Sequence, residues 1–390
     1  MDLKTVAPCY LYDEKEIRNA CGELKAKLAG FDFLYSVKAN PFEPIVRCVA
    51  DEEFGADAAS PGEVMDSLKC GIDPENIYYS APGKTKDDIL LTAGKCVLIA
   101  DSLNEICMVQ QIAADKGESI SIGIRVHPGF TMDGNPQGSS KFGIDLEDIN
   151  ALKDTLKSWP DVIPAGIHVH LKSQVMDVRK LAAYYLNVME TALVLKKDLG
   201  MEIRFINFGS GIGTVYDSDT DRPVDLKRLA KGLQPVHEIN RKLHARLLIE
   251  TGRYVVCNAG RYITPVVDKK ASHGTTYLIV RNGLNGFMRP AVASMLRKVA
   301  GDQIPGMEPL FTKEKEFDIQ VLNDSAEHET VTVVGNLCTA MDTIRENVTM
   351  NKAEIGDLIE ISNAGSYAYA LSPLLFSGHK LPEQYLINSD

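Results

Sequence analysis

The chain carries two hydrophobic periods in alternation. Short apolar runs recur at 33–38, 54–60, 77–82, 96–101, 121–127, 163–171, 205–211 and 247–252. Between them, at 42–52, 61–70, 85–94, 103–116, 146–157, 178–199 and 224–244, apolar residues return every three to four positions. The short runs have the length of buried strands, and the longer stretches have the spacing of amphipathic helices. Several helices open on N-terminal signals, among them Ser60-Pro61-Gly62-Glu63, Lys84-Thr85-Lys86-Asp87 and Asp101-Ser102-Leu103-Asn104-Glu105. A further helix is expected over 13–30, after a lone strand in the first 12 residues.

Eight strands alternating with helices is the count of a TIM-type (β/α)8 barrel. A doubly wound open sheet is the competing arrangement, but it gathers its ligand at one switch point near mid-sheet. Here the chemistry-bearing residues are spread near the C-terminal ends of strands 1, 2, 5, 6, 7 and 8, as at a barrel mouth. After about residue 265 the texture turns β-rich, with runs at 275–280, 317–322, 331–334, 358–362 and 367–371 punctuated by Gly and Asn. The sequence therefore predicts an α/β chain. A barrel over 25–265 is followed by a C-terminal β domain, 266–390, which residues 1–24 join.

Composition narrows the function. With 390 residues the chain exceeds one ordinary core, and 45% apolar with 24% charged residues is usual for a soluble protein. A net charge of −11 without a basic run argues against nucleic acid as a partner. No apolar run has the length of a membrane span or a signal peptide, so a cytoplasmic location is expected. The eight cysteines form no Cys-x-x-Cys pair and the eight histidines no His-Glu-x-x-His pattern, so no metal is expected.

Four groups stand at expected strand ends. Lys38 follows the first run, in Tyr35-Ser36-Val37-Lys38-Ala39-Asn40-Pro41. A lysine at the end of a buried strand needs its charge relieved, either by snorkeling to solvent or covalently, as a Schiff base with an aldehyde cofactor. His168 and His170 alternate after strand 6, which puts both on one side, where an imidazole can stack on a flat ring or be a satisfied core residue. Asn207-Phe208-Gly209-Ser210-Gly211-Ile212-Gly213 follows strand 7 and misses the dinucleotide spacing, yet its amides can cradle a phosphate. Glu250-Thr251-Gly252-Arg253 follows strand 8; the carboxylate can hold a ring nitrogen protonated and the guanidinium can neutralise a phosphate, unless the two are only a surface ion pair. Taken together, these groups describe a site for pyridoxal 5'-phosphate (PLP), whose protonated ring is an electron sink for a carbanion.

At these residues the chain resembles the PLP-dependent decarboxylases of the alanine-racemase fold, the family of diaminopimelate, ornithine and arginine decarboxylases. Matching segments include Tyr-Ser-Val-Lys-Ala-Asn-Pro at 35–41, Gly-Ala-Asp-Ala-Ala-Ser at 55–60, Lys-Phe-Gly-Ile at 141–144 and Glu-Thr-Gly-Arg at 250–253. Others are Phe-Met-Arg-Pro-Ala at 287–291, Gly-Asn-Leu-Cys-Thr-Ala-Met-Asp at 335–342 and Asn-Ala-Gly-Ser-Tyr at 363–367. The resemblance implies that Lys38 binds the cofactor aldehyde, His170 stacks on the ring and Glu250 pairs with its nitrogen. It implies a phosphate site of Ser173, Gly209, Ser210, Gly211, Gly252, Arg253 and Tyr367. It assigns Cys338 to protonating Cα across a homodimer interface, with Asp342 and Thr339 near the substrate and Arg289 binding its carboxylate. The active sites would be shared between two subunits.

Three positions depart from the family pattern. Thr339 stands where diaminopimelate and ornithine decarboxylases carry an acid that reads the distal amine, which argues against a simple diamino-acid substrate. Lys172 replaces a glycine, and Asn207 takes a place often held by aspartate. The Cys-Thr-x-x-Asp pattern and the ending Leu375-Phe376-Ser377-Gly378-His379 resemble members from siderophore and peptide-antibiotic pathways, whose substrates are larger or anionic, including carrier- or citrate-linked amino acids. The expected activity is α-decarboxylation of an amino acid or an amino-acid-containing intermediate. The alternatives are diaminopimelate decarboxylase, an amino-acid racemase on the same fold, a catalytically dead regulatory relative, and a barrel enzyme for a phosphosugar.

Overall fold

The computed structural model describes residues 1–209, 211–217, 219–301, 308–310 and 314–388, with backbone alone at 150 and 151. They divide into two compact units. One comprises 18–214 and 223–252, the other 1–17, 215–222 and 253–390.

The first unit is the barrel. Its strands are β1 (Asp32–Ser36), β2 (Gly55–Ala58), β3 (Ile77–Tyr79), β4 (Val97–Ala100), β5 (Ile120–His127), β6 (Val162–His168), β7 (Phe205–Asn207) and β8 (Arg246–Thr251). All pair in parallel, in the order β4-β3-β2-β1-β8-β7-β6-β5, and β4 closes on β5 with Leu98 opposite Ile122. Leu34, Tyr78, Ile99, Phe205 and Leu248 form one buried cluster. Phe205 fits because Gly123 and Gly166 lack side chains; a Cβ at either would lie within 2.7 Å of its ring. The interior is thus filled, which leaves the strand ends for chemistry.

The sequence-predicted strands overrun the real ones at their C-terminal ends. Buried apolar residues such as Val37, Val169 and Phe208 carry the apolar run past the end of the ladder into the mouth loops. After β1, Val37–Ala39 forms a single 3-10 turn that carries Lys38. After β6, His170 lies just beyond the strand, half-buried against Gly209, while His168 ends the strand beside Glu250. The helices follow their start signals: Ser60 and Ser102 accept the amides of Glu63 and Glu105, each at 3.2 Å, and Thr85 forms a capping box with Asp88. The expected helix over 224–244 is two, Leu226–Gly232 and Gln234–Leu243, because Pro235 can only begin a new helix.

The second unit is built on β-strands. Cys9–Asp13 pairs antiparallel with Gly260–Ser272 and parallel with Glu383–Ile387. The main sheet runs Ile319–Val321, Leu358–Ile361, Gly260–Ser272, Thr275–Val280, His328–Gly335, Thr343–Asn351. Two expectations fail here. Residues 367–371 form turns, not a strand, and the helix Met288–Ala300 interrupts the β pattern. No helix among the described residues is long and apolar enough to cross a membrane.

Candidate active site

In the barrel unit, Lys38 extends from its turn to Asp57 at the end of β2. Its Nζ lies 2.6 Å from Asp57 Oδ2. Asp57 is wholly buried and its other oxygen accepts from Ser80 Oγ at 2.6 Å, so the carboxylate cannot swing away. The Lys38 side chain is 44% exposed, which leaves the amine reachable. Gly252, at the end of β8, makes room for this turn: a Cβ there would lie 2.7 Å from that of Ala39.

Glu250 on β8 is buried. Its Oε1 accepts from Asn207 Nδ2 at 2.9 Å and lies 3.1 Å from His168 Nε2. Its Oε2 has no hydrogen-bond partner among the described residues. Burial alone would push the Glu250 carboxyl up. The contact with His168 and the positive fields of Lys38 and His170 outweigh it, so the group is held below the ordinary carboxylate range. Burial pulls His168 down, against the field of Glu250. The pair therefore rests as a neutral imidazole beside an ionised carboxylate.

The loops after β6 and β7 are clamped together. Gln174 Nε2 donates to Thr214 O at 2.6 Å, the Thr214 amide donates back to Gln174 Oε1 at 3.1 Å, and Val175 bridges Ile212. Gly209 has φ +63°, and its amide donates to Asn207 Oδ1 at 2.8 Å. A Cβ on Gly209 would lie 2.7 Å from the Cβ and Nδ1 of His170, so only glycine fits against that ring. Gly211 is buried and accepts from the Val175 amide at 2.8 Å, and Ser173 is half-buried in the same loop. Ser210 lies outside the described residues.

In the second unit, Arg253 donates to the Tyr216 hydroxyl at 2.5 Å and to Pro309 O at 3.2 Å, and stands 4.8 Å from the Tyr367 ring. Tyr367 has φ +50°, a strained backbone for an aromatic residue. Arg289 is fully buried. It donates to Leu310 O at 3.0 Å and Ser366 O at 3.2 Å, and its guanidinium stands 3.7 Å from Glu316 Oε2. Cys338 is exposed and Thr339 half-buried in one turn. Asp342 is 2% exposed and accepts the amides of Leu284 at 2.6 Å and Leu337 at 2.8 Å. Its carboxylate shapes the turn.

Asp57 is the residue the motifs missed, although a carboxylate inside the apolar segment Gly55-Ala56-Asp57-Ala58 needed a cation. Arg125 on β5 was missed too. It is buried at the same mouth, 3.2 Å from Ser80 O and 3.3 Å from Asp101 Oδ1. Among the described residues no group of three or more His, Cys, Asp or Glu could hold a metal ion. The barrel residues do fit PLP. They offer a reachable amine, a carboxylate with one unengaged oxygen, and a cradle at Gly209 that a side chain would fill.

Comparison with known proteins agrees. Residues 14–257 match the family model described as pyridoxal-dependent decarboxylase, pyridoxal binding domain. Diaminopimelate decarboxylase of Archaeoglobus fulgidus is 28% identical, over 99% of this chain and 89% of that protein. The L-glutamyl-[BtrI acyl-carrier protein] decarboxylase of Niallia circulans is also 28% identical, over 97% of this chain and 88% of that protein. The crystal structure of Helicobacter pylori diaminopimelate decarboxylase complexed with L-lysine superposes with a TM-score of 0.82 at 28% identity, covering 97% of this chain and 91% of that one. The chain therefore belongs to the pyridoxal-phosphate-dependent amino-acid decarboxylases, carboxy-lyases built on this barrel and β domain.

Proposed function

We propose that the enzyme decarboxylates an amino acid whose far end is not a free ammonium: an anionic, carrier-linked or citrate-linked substrate. The observation that carries this is the turn after Gly335. Its members Cys338, Thr339, Ala340 and Met341 bear no charge. Its one acid, Asp342, is turned inward onto backbone amides. A distal ammonium would find no counter-charge on this turn, and an unpaired charge is a strong basis for rejection. The Niallia relative, which acts on a glutamyl group held on a carrier protein, supports this reading.

The barrel contacts support the roles of Lys38, Asp57 and Glu250, and the remaining roles are those of the family pattern. Lys38 holds the cofactor aldehyde, and Asp57 fixes the direction of its amine. Glu250 pairs with the ring nitrogen through Oε2, and His170 lies along the ring. Ser173, Gly209, Ser210, Gly211, Gly252, Arg253 and Tyr367 take the phosphate, Arg289 serves the substrate carboxylate, and Cys338 delivers a proton to Cα in a homodimer with shared sites. PLP held by these residues would supply an electron sink for the pair left when the Cα–carboxylate bond breaks and CO2 departs.

Diaminopimelate decarboxylase is the second reading, because several of the similar proteins carry that name. A CO2-release screen separates the two. Diaminopimelate, lysine, ornithine, arginine, glutamate and glutamate linked to a carrier or to citrate are offered to the enzyme with PLP. Turnover confined to the anionic or linked substrates is expected. Rapid turnover of diaminopimelate overturns the reading of Thr339.

A further inference from the structure

His168 is the residue at the barrel mouth whose chemistry the cofactor reading leaves unused. It is 1% exposed, and among the described residues neither ring nitrogen has a hydrogen bond of good geometry. A wholly buried imidazole kept only for packing would have found partners. Its Nε2 lies 3.1 Å from Glu250 Oε1. The same oxygen takes the Asn207 amide at 2.9 Å, and Asn207 in turn accepts from the Gly209 amide. Oε1 is therefore held from two sides while Oε2 is left for the cofactor. The register of parallel neighbours produces this, since His168 on β6 lies opposite Asn207 on β7.

We infer that His168 is a positioning residue that, as a neutral ring with its proton on Nε2, keeps the Glu250 carboxylate ionised and turned toward the pyridine nitrogen of PLP. The assignment rests on the PLP site described above. The other groups acting on this pair are Lys38 and His170 toward Glu250, Arg125 and Asp57 toward His168, and the phenols of Tyr184 and Tyr185 on the helix Val178–Leu199. All are the same in wild type and in variants at 168, so a difference between those proteins isolates the imidazole. Losing the donor makes the Glu250 anion costlier, so it takes up a proton at higher pH and ceases to pair with a protonated ring.

The test is the affinity of the apoprotein for PLP, read by absorbance, from about pH 8 to about pH 6 in wild type, His168→Gln and His168→Phe. At about pH 8 all three should bind within a few-fold of one another. At about pH 6 His168→Phe should bind about tenfold more weakly than wild type, because burial, no longer offset by the imidazole, carries the Glu250 carboxyl well above its ordinary range. His168→Gln, with an amide donor, should follow wild type. A loss of equal size at every pH, or the same loss in both variants, overturns the inference. Should His168→Phe not fold, 15N-histidine NMR of wild-type apoprotein decides instead: a neutral ring protonated on Nε2 supports the assignment, and a proton on Nδ1 overturns it. Failure of wild type to bind PLP at all would strike the cofactor reading separately, because the NMR measurement needs no cofactor.

Discussion

The two units handle buried charge differently. At the barrel mouth, ionisable groups answer one another across neighbouring strands: Lys38 with Asp57, and Glu250 with His168 and Asn207. In the second unit, charged side chains are satisfied mainly by the backbone and by aromatic faces. Arg289 donates to two carbonyls and faces Phe317 at 5.0 Å, and Asp342 receives two amides. Contacts between side chains can change protonation state and re-form around a ligand. Contacts with the backbone cannot change without moving the fold. The barrel groups are therefore the adjustable part of this enzyme, and the groups of the second unit are its fixed part.

The sharpest way to break this contrast is to remove one charge from each unit. Lys38→Ala should cut CO2 release at least a thousandfold, roughly the scale seen when a covalent nucleophile is lost. Its melting temperature should fall by less than that of Asp342→Ala, because Ser80 still donates to Asp57 and water can enter through the space the partly exposed Lys38 side chain leaves. Borohydride should no longer fix PLP to the chain. Asp342→Ala should show the converse. Two buried amides lose their acceptor, at a cost of about 1–3 kcal/mol each, so denaturant unfolding should show a large loss of stability. If Lys38→Ala unfolds as readily as Asp342→Ala, the barrel charges are structural and the distinction fails.

The same division marks what could be read in the sequence. The barrel was legible because its strands and helices keep clean periods, and Lys38, Gly209 and Glu250 all fall at strand ends. Partnership was not legible. Lys38 and Asp57 are 19 residues apart and Asn207 and Glu250 43, and only parallel register brings them together. The histidines show why an apolar run is a poor ruler: β6 stops at His168, so one ring faces Glu250 within the barrel and the other lies against Gly209 in a loop. In the second unit, 367–371 has the aromatic content of a strand, but Tyr367 is held at φ +50°. The turn at Cys338 gave no sign that Asp342 faces inward, because a carboxylate serving backbone amides has no sequence signature.

The smallest expected effect probes the adjustability of the barrel without any cofactor. The folded pKa of His168 lies below its ordinary value, so the unfolded chain takes up this proton first as pH falls. Stability present above about pH 6.5 should therefore drain away below it, until the folded ring protonates as well. Glu250 is also held low and adds a second loss that begins only near the ordinary carboxylate range, about pH 4.3. Each proton contributes at most about 1.4 kcal/mol per pH unit. Urea midpoints of the apoprotein at several pH values should therefore fall in two stages for wild type. His168→Gln removes the titrating ring and keeps a donor for Glu250, so it should lose the first stage and keep the second. If the variant keeps the first stage, that stage belongs to another group and His168 does not titrate in the folded barrel as its burial requires. If the second stage instead shrinks or vanishes, glutamine has not replaced the imidazole as a donor, and the coupling between His168 and Glu250 depends on the ring itself.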